Sequence, residues 1–325
     1  MALRRLMAAL GRRCRRLFGA ASAQPRDLKG RVYLVTGIAP GSIGFETARA
    51  LAAWGATVIV TTRSRSQDAA QALRAVLPAG AGPLEPESLD LADAASVERL
   101  ATAVTQRHGR LDGLVNNAGI HLDLLSQWRE PKLLDGHEIH WRTNYLGTMQ
   151  LTLRLLPLLL RSAAAHGGAR VVNVVSMLHA RGRNAGLFGA SLPYNSWVAY
   201  GNSKLGLVHA TLELQRLYAA QGLQAYCLHP GAVFTNIADK GLSGNPVLEA
   251  IRRFFAPMEA AFLLTPEEGA QTTLACATAP EARGGAYYRN CRVAEASADS
   301  RDAAVGRKLW RETESWLGSI KAPSQ

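Results

Sequence analysis

No run in the sequence approaches the roughly 18 uninterrupted apolar residues of a membrane-spanning helix. The longest candidate, LTLRLLPLLL at 151–160, carries Arg154 and Pro157. Cysteine is scarce, with four in 325 residues. Cys14, Cys227, Cys276 and Cys291 are far apart and form no C-x-x-C pair, so neither a zinc site nor a disulfide framework is indicated. A reducing, cytoplasmic setting is the simplest reading, and no metal is expected. Acids are missing from residues 1–26, which hold seven arginines and so more than half of the net charge of +12. The remainder is unremarkable for a soluble domain. No interleaving of basic and aromatic residues argues for nucleic acid.

The acid-free start has a pattern. Leu3, Leu6, Met7, Leu10, Cys14, Leu17 and Phe18 recur at helical spacing, with Arg4, Arg5, Arg12, Arg13, Arg15 and Arg16 opposite them. Such a helix can lie in a membrane surface, apolar side down, with its arginines near lipid phosphates. Arg-rich starts also occur in organelle transit peptides. A basic tail with no specific task is the third reading. Residues 1–26 are therefore expected to be an extension of a single domain at 27–325.

From Asp27 onward, short β-type runs alternate with amphipathic stretches. RVYLV, TVIVT, LDGLVNN, RVVNVV and LQAYCL have strand length. Residues 45–54, 67–76, 95–108, 138–156 and 198–221 have helical patterning. This alternation predicts a doubly wound α/β domain, a parallel sheet with helices on both faces. GPLEPESLDL reads as a further strand with Pro86 inside it, which belongs at a sheet edge because proline cannot donate to a ladder. Thr265, Pro266 and Glu268 spell a capped helix start. A last helix is expected over 301–317.

Four local patterns carry chemistry. TGIAPGSIG, at 36–44, lies between a strand and a helix, where glycines let the backbone approach a pyrophosphate at a helix N-terminus. Gly37 and Gly41 fit the spacing T-G-x-x-x-G-x-G, and Gly44 arrives one residue late. Alone, such a loop is a weak signal and reads equally as a turn. Tyr200 and Lys204 lie four residues apart, on one helix face. A free phenol has a pKa of about 10, and lowering it by two to three units takes roughly 3–4 kcal/mol. A unit charge about 4 Å away, at an effective dielectric near 20, supplies about that much. Ser176 closes RVVNVVS at a strand end, and Asn116, Asn117, Ala118 and Gly119 follow another strand. Each of these alone reads as a cap or polar turn.

Together, and in this order, the patterns resemble the short-chain dehydrogenase/reductase family across residues 30 to about 318. GFETARALAAWGA, VVNVVSMLHARG, TPEEGAQT and RKLWRETESWLG are similar to its retinol dehydrogenase and dehydrogenase/reductase group. The resemblance implies a Rossmann-type domain with a mostly parallel, seven-stranded sheet. It implies catalytic Asn144, Ser176, Tyr200 and Lys204. It places a dinucleotide against Gly37, Gly41, Ser42, Ile43, Gly44, Asn117, Ala118, Gly119, Tyr200 and Lys204. Asp90 and Leu91 lie beside the adenine, and Pro230, Gly231, Val233 and Thr235 border the nicotinamide. The longer loop resembles that of bacterial enoyl reductases, but those carry a tyrosine where this chain has Trp197. The loop is thus read as a one-residue expansion of the ordinary one. Val175 stands where many relatives have a second serine.

An acid at the end of the second strand would bind the ribose 2′-OH of NAD. Thr62 occupies that place and Arg63 follows, which suits a 2′-phosphate. The expected cofactor is NADP rather than NAD. The implied reaction is hydride transfer between nicotinamide and a carbonyl or alcohol carbon, with Tyr200 as proton donor or acceptor. The segment between Ser176 and Tyr200 and the apolar stretch at 245–264 suggest a hydrophobic small-molecule substrate: a retinoid, steroid or lipid ketone. A C=C reductase or a non-catalytic NADP sensor would share the cofactor motifs.

Overall fold

The computed structural model describes residues 21–122, 128–189, 193–233 and 263–320. The amphipathic pattern at 3–18, Thr235 and most of the apolar stretch at 245–264 lie outside the described residues.

The chain begins β1 (Val32–Thr36), α1 (Ile43–Ala53), β2 (Thr57–Thr62), α2 (Ser66–Arg74), β3 (Leu84–Ser88), α3 (Ala94–Arg107) and β4 (Gly113–Asn116). A small hairpin follows, β5 (Leu133–Leu134) with β6 (His137–Glu138). The chain continues through α4 (Thr148–His166), β7 (Ala169–Val174), α5 (Ser196–Tyr218), β8 (Leu223–His229), α6 (Pro266–Thr278), β9 (Tyr287–Arg289), β10 (Arg292–Ala294) and α7 (Ala303–Ser319). The main sheet runs β3-β2-β1-β4-β7-β8-β9-β10. The first seven in that order pair in parallel, and β10 is added antiparallel to β9. The sheet thus has one strand more than expected. Residues Asn290 and Cys291 join β9 to β10 with φ of 51° and 57°, the left-handed pair that a two-residue hairpin turn demands.

The alternation in β1 explains the layers. Val32 and Leu34 enter the core beneath α3, α4, α5 and α7, while Tyr33 and Val35 enter the core beneath α1, α2 and α6. Successive strand residues point to opposite faces, so a strand buried on both sides must be apolar throughout. The strand β3, with Pro86, lies at the sheet edge as its proline requires. The Thr265 hydroxyl and Glu268 carboxylate cap α6 reciprocally. Residues 21–26 already touch the domain: the Ala23 N–H donates to Gln271 Oε1 at 3.0 Å, and Arg26 lies 3.6 Å from Glu281.

Between β1 and β4 the strand order reverses. The carboxyl ends of β1, β4, β7 and β8 converge there, in the crevice where open α/β sheets take ligands.

Candidate active site

The glycine loop leaves β1 at Gly37. Gly37 and Gly41 have φ of +75° and +77°, a region that glycine enters without the Cβ penalty. The extra residue is absorbed at the helix start. Ser42 caps α1, accepting from the Phe45 N–H at 3.2 Å, and its hydroxyl donates to the Gly37 carbonyl at 3.3 Å. Gly44 then falls in the first turn, where a Cβ would lie 2.5 Å from both the Gly37 carbonyl oxygen and Asn117 Nδ2. The late glycine is therefore required by close approach, and Ile43 beside it packs on the core. With the Phe45 N–H taken by Ser42, the N–H groups of Ile43 and Gly44 are the ones left without an intrahelical partner, and such groups suit an anion.

Asn117 and Ala118 brace this loop from β4. The Thr36 hydroxyl accepts from the N–H groups of Asn117 at 3.0 Å and Ala118 at 2.9 Å. Asn117 Nδ2 donates to the carbonyls of Thr36 and Gly37. At Gly119 a Cβ would come within 3.2 Å of Asn144 Oδ1 and 3.3 Å of Lys204 Nζ. These positive-φ glycines and cradles that a Cβ would fill fit a dinucleotide laid across the loop.

Asn144 lies in a wide π-type turn, Trp141–Gly147, that leads into α4. Such turns recur at functional sites. The Asn144 amide is buried, accepting from the Ile120 N–H at 2.7 Å and donating to the Ile120 carbonyl at 2.9 Å and to Ser203 Oγ at 3.2 Å. Two residues earlier, buried Arg142 donates to the Leu91 carbonyl at 3.0 Å and holds the loop carrying Asp90 and Leu91. Asp90 itself accepts from the Ala92 N–H.

Tyr200 and Lys204 share one face of α5, as their spacing predicts. Ser176 reaches the same point from the end of β7, its hydroxyl accepting from the Leu178 N–H at 3.2 Å and acting on the nearby Tyr200 phenol. Lys204 Nζ is 5.8 Å from the Tyr200 ring centre and donates to the Val174 carbonyl at 3.1 Å. Burial pushes the phenol of Tyr200 up to about 12, opposed by the neighbouring Ser176. Burial also pulls the Lys204 ammonium down to about 8. The expected depression of the phenol by Lys204 is not met in this geometry. The ammonium bonds the Val174 carbonyl instead, and burial raises the phenol.

Sequence reasoning missed the shell around the phenol. The His121 ring stacks on Tyr200, with centroids 4.2 Å apart and planes 15° from parallel. His140 presents its edge to Tyr200 at 6.0 Å, and its Nδ1 lies 2.8 Å from Glu138 Oε1. Glu138 also accepts from the Trp141 N–H and the Tyr194 hydroxyl. No motif flags these residues, because each is a lone histidine or acid whose partners come from other elements.

Pro230 and Gly231 follow β8, Gly231 with φ of +94°. Val233 bridges to Leu264 and packs against Gly269 of α6. At the far edge Thr62 closes β2 with its hydroxyl donating to the Ser64 carbonyl at 2.6 Å, and the Arg63 side chain is exposed with no ion pair among the described residues.

A glycine loop, an Asn-Asn-Ala-Gly brace and a Ser-Tyr-Lys cluster thus meet at one switch point. The description "short chain dehydrogenase" matches residues 31–245. The chain belongs to this family. It is 35% identical over 313 residues to "Retinol dehydrogenase 14" of Homo sapiens, covering 91% of this chain and 89% of that one. It is 37% identical over 296 residues to "Polyprenol dehydrogenase" of Mus musculus, covering 87% and 82%. A solved structure titled "Pseudomonas aeruginosa RhlG/NADP active-site complex" superposes with a TM-score of 0.59 at 27% identity, covering 82% of this chain and 96% of that one. This short-chain dehydrogenase is close to the retinol dehydrogenases and is an NAD(P)-dependent oxidoreductase with a small-molecule substrate. No helix among the described residues is long and apolar enough to cross a membrane.

Proposed function

We propose that this short-chain dehydrogenase is an NADP-preferring oxidoreductase of apolar carbonyl compounds and alcohols, with Tyr200 as its acid–base residue. The observation that carries the reading is the convergence of Ser176, from the end of β7, on Tyr200, whose ring lies 5.8 Å from the buried Lys204 ammonium one helical turn on.

The bound dinucleotide supplies or accepts the hydride. Tyr200 gives its phenol proton to the substrate oxygen in reduction and takes it back in oxidation. Ser176, beside that phenol, donates a second hydrogen bond to the same oxygen. This aims both donors where charge develops. Lys204 places a cation behind the phenol and would hold the nicotinamide ribose. Asn144 keeps the Ile120 backbone and the Ser203 hydroxyl in place beside Lys204, and would anchor a water on the proton path. The loop at Gly37, Gly41, Ser42, Ile43 and Gly44 would hold the pyrophosphate. Asp90 and Leu91 would flank the adenine, and Asn117, Ala118, Gly119, Pro230, Gly231, Val233 and Thr235 would line the nicotinamide half.

NADP is favoured over NAD because β2 ends in Thr62 and Arg63 with no acid, and Arg63 is free to meet a 2′-phosphate. The NADP complex of the Pseudomonas relative supports this choice. An apolar substrate is supported by two relatives named for retinol and polyprenol, both apolar alcohols. Residues 1–26 are an arginine-rich extension that lays the enzyme against an anionic membrane surface.

A panel of retinaldehyde, steroid ketones, aliphatic aldehydes and an enone, read by NADPH absorbance with product analysis, tests the reading. Carbonyl reduction of an apolar member supports it. Saturation of the enone C=C bond alone, or no turnover of any member by protein that binds NADPH, overturns it.

A further inference from the structure

We propose that His179 is a positioning residue for Ser176, tying the carbonyl of the serine to the backbone at Ser297 so that the serine hydroxyl keeps its place beside Tyr200. The inference rests on the reading of Ser176 given above.

The two ring nitrogens of His179 settle its protonation. Nε2 accepts from the Ser297 N–H at 3.0 Å, so it carries no proton. In a neutral imidazole the proton then sits on Nδ1, which donates to the Ser176 carbonyl at 2.7 Å. The backbone N–H of His179 donates to that same carbonyl at 3.0 Å. Two donors on one oxygen fix the peptide plane that leaves Ser176. On the other side, the Met177 N–H donates to His229 Nδ1 at 3.3 Å, an imidazole at the end of β8. The serine turn is thereby held from β8 and from the segment that enters α7. Asp299, in that segment, accepts from the Asn184 N–H at 2.9 Å and closes the frame.

Both imidazoles are buried, and their surroundings keep them neutral. Burial holds His179 below the ordinary histidine value, against its bond to Ser176. His229 is pulled down to about 4 by burial, then by Arg289 and His179. The Tyr287 ring of β9 packs against His179 with centroids 5.0 Å apart. A neutral histidine is the side chain that can donate at one end and accept at the other across this gap. Leucine would fill the space and release both peptides.

A double-mutant cycle separates positioning from mere packing. The rates are kcat with NADPH on the fastest carbonyl of the panel, beside NADPH dissociation constants and melting temperatures. His179→Leu should lower kcat roughly 10- to 100-fold, the scale of a misplaced reacting group, with NADPH affinity unchanged. His179→Asn keeps only the donor at the Ser176 carbonyl and His179→Gln only the acceptor for Ser297, so each should recover part of the loss, Asn more than Gln. In a Ser176→Ala background, His179→Leu should change kcat less than about 2-fold, since effects acting through one group do not add. An equal fall in both backgrounds overturns the proposal. If His179→Leu does not fold, the Asn and Gln variants carry the comparison, and equal losses in the two overturn it. If Ser176→Ala alone leaves kcat unchanged, the reading of the serine fails, and the tie to His179 fails with it.

Discussion

The imidazole of His121 lies flat on the phenol of Tyr200, 4.2 Å between centroids and 15° from parallel. Trp197 meets His121 edge-on at 5.6 Å, and His140 meets Tyr200 edge-on at 6.0 Å. The phenol therefore has one face covered and one edge fenced, and its rotation about Cβ–Cγ is limited. Aromatic pairs of this kind contribute about 0.5–1.5 kcal/mol beyond the area they bury. His121→Phe keeps a flat ring there and should retain most of the activity. His121→Ala frees the phenol and should lower kcat roughly 10-fold, with NADPH affinity unchanged. Steady-state kinetics on the two variants decide it, and equal activity of the Ala variant and the unmodified protein would remove His121 from the account.

Cofactor choice should reside at the end of β2. Arg63 is exposed there, and the Thr62 hydroxyl is engaged with the Ser64 carbonyl. NADPH should bind more tightly than NADH, and Thr62→Asp with Arg63→Ala should reverse the order by giving the ribose an acid and removing the cation. Fluorescence titration with both dinucleotides measures it. Equal dissociation constants in the unmodified protein would contradict the assignment.

Much of this arrangement was legible in the sequence because it depends on local spacing. Tyr200 and Lys204 share a helix face by a four-residue interval alone. Pro86 announced an edge strand, and Thr265 with Glu268 announced a capped helix. The expanded loop was legible in outline, but the sequence could not say that Gly44 faces the Gly37 carbonyl, since that depends on how Ser42 caps α1. The hairpin of β9 and β10 escaped because three-residue strands have no measurable alternation and Asn-Cys is a weaker turn signal than Asn-Gly. The expected helical stretch at 138–156 begins instead with β6 and the π-type turn at Trp141–Gly147, which no periodicity distinguishes from an α-helix. His121, His140 and His179 were invisible for a different reason. Their roles lie in contacts between elements far apart in sequence, such as His179 and Ser297 at a separation of 118 positions.

The amphipathic pattern at 3–18 should bind vesicles containing anionic lipid, and salt should weaken the binding because arginines supply part of the attraction. Because Ala23 and Arg26 contact the domain, the informative truncation begins at Ala21 rather than later. That shortened protein should keep its melting temperature and lose vesicle binding. Sedimentation of both proteins with the same vesicles is the measurement, and equal binding would assign the extension no membrane role.

Lys204 should make stability depend on alkaline pH. Its folded value is about 8 against an ordinary 10.5, lowered by burial. Between these values the unfolded chain holds more protons than the folded one, so stability rises with pH across this window. Below pH 8 the cost of the buried ammonium is fully present, on the order of 3 kcal/mol. Lys204→Met should therefore be more stable than the unmodified protein at pH 7, with a gap that narrows toward pH 10.5, though it loses activity. Denaturant unfolding of both at the two pH values, without cofactor, gives the gap. A gap that does not change with pH would mean that the ammonium is already compensated, and Lys204 would then hold no strain to spend on catalysis.

Tyr200 carries the most direct test of the mechanism. Tyr200→Phe removes one hydroxyl from the half-buried ring and leaves its contacts with His121 and His140 in place. The glycine loop and its Asn117 brace do not depend on that hydroxyl, so NADPH should bind with little change. Turnover should fall by roughly 10²–10⁴, the usual loss with a general acid, because Ser176 can hydrogen-bond the substrate oxygen but is far too weak an acid to replace the phenol. Ser176→Ala should fall less, since the phenol remains, and the double variant should fall little further than Tyr200→Phe, because the two hydroxyls act on one oxygen. Burial holds the phenol at about 12, so it is protonated at neutral pH, the form that reduction needs. Reduction should therefore be level with pH from 6 to 7, below the value of Lys204, while oxidation, which needs the phenolate, should rise with pH over the same range. Rates in both directions across that range, with dissociation constants for NADPH on each variant, complete the test. Unchanged turnover in Tyr200→Phe would show that the Ser-Tyr-Lys cluster is not the proton path, whatever the fold around it.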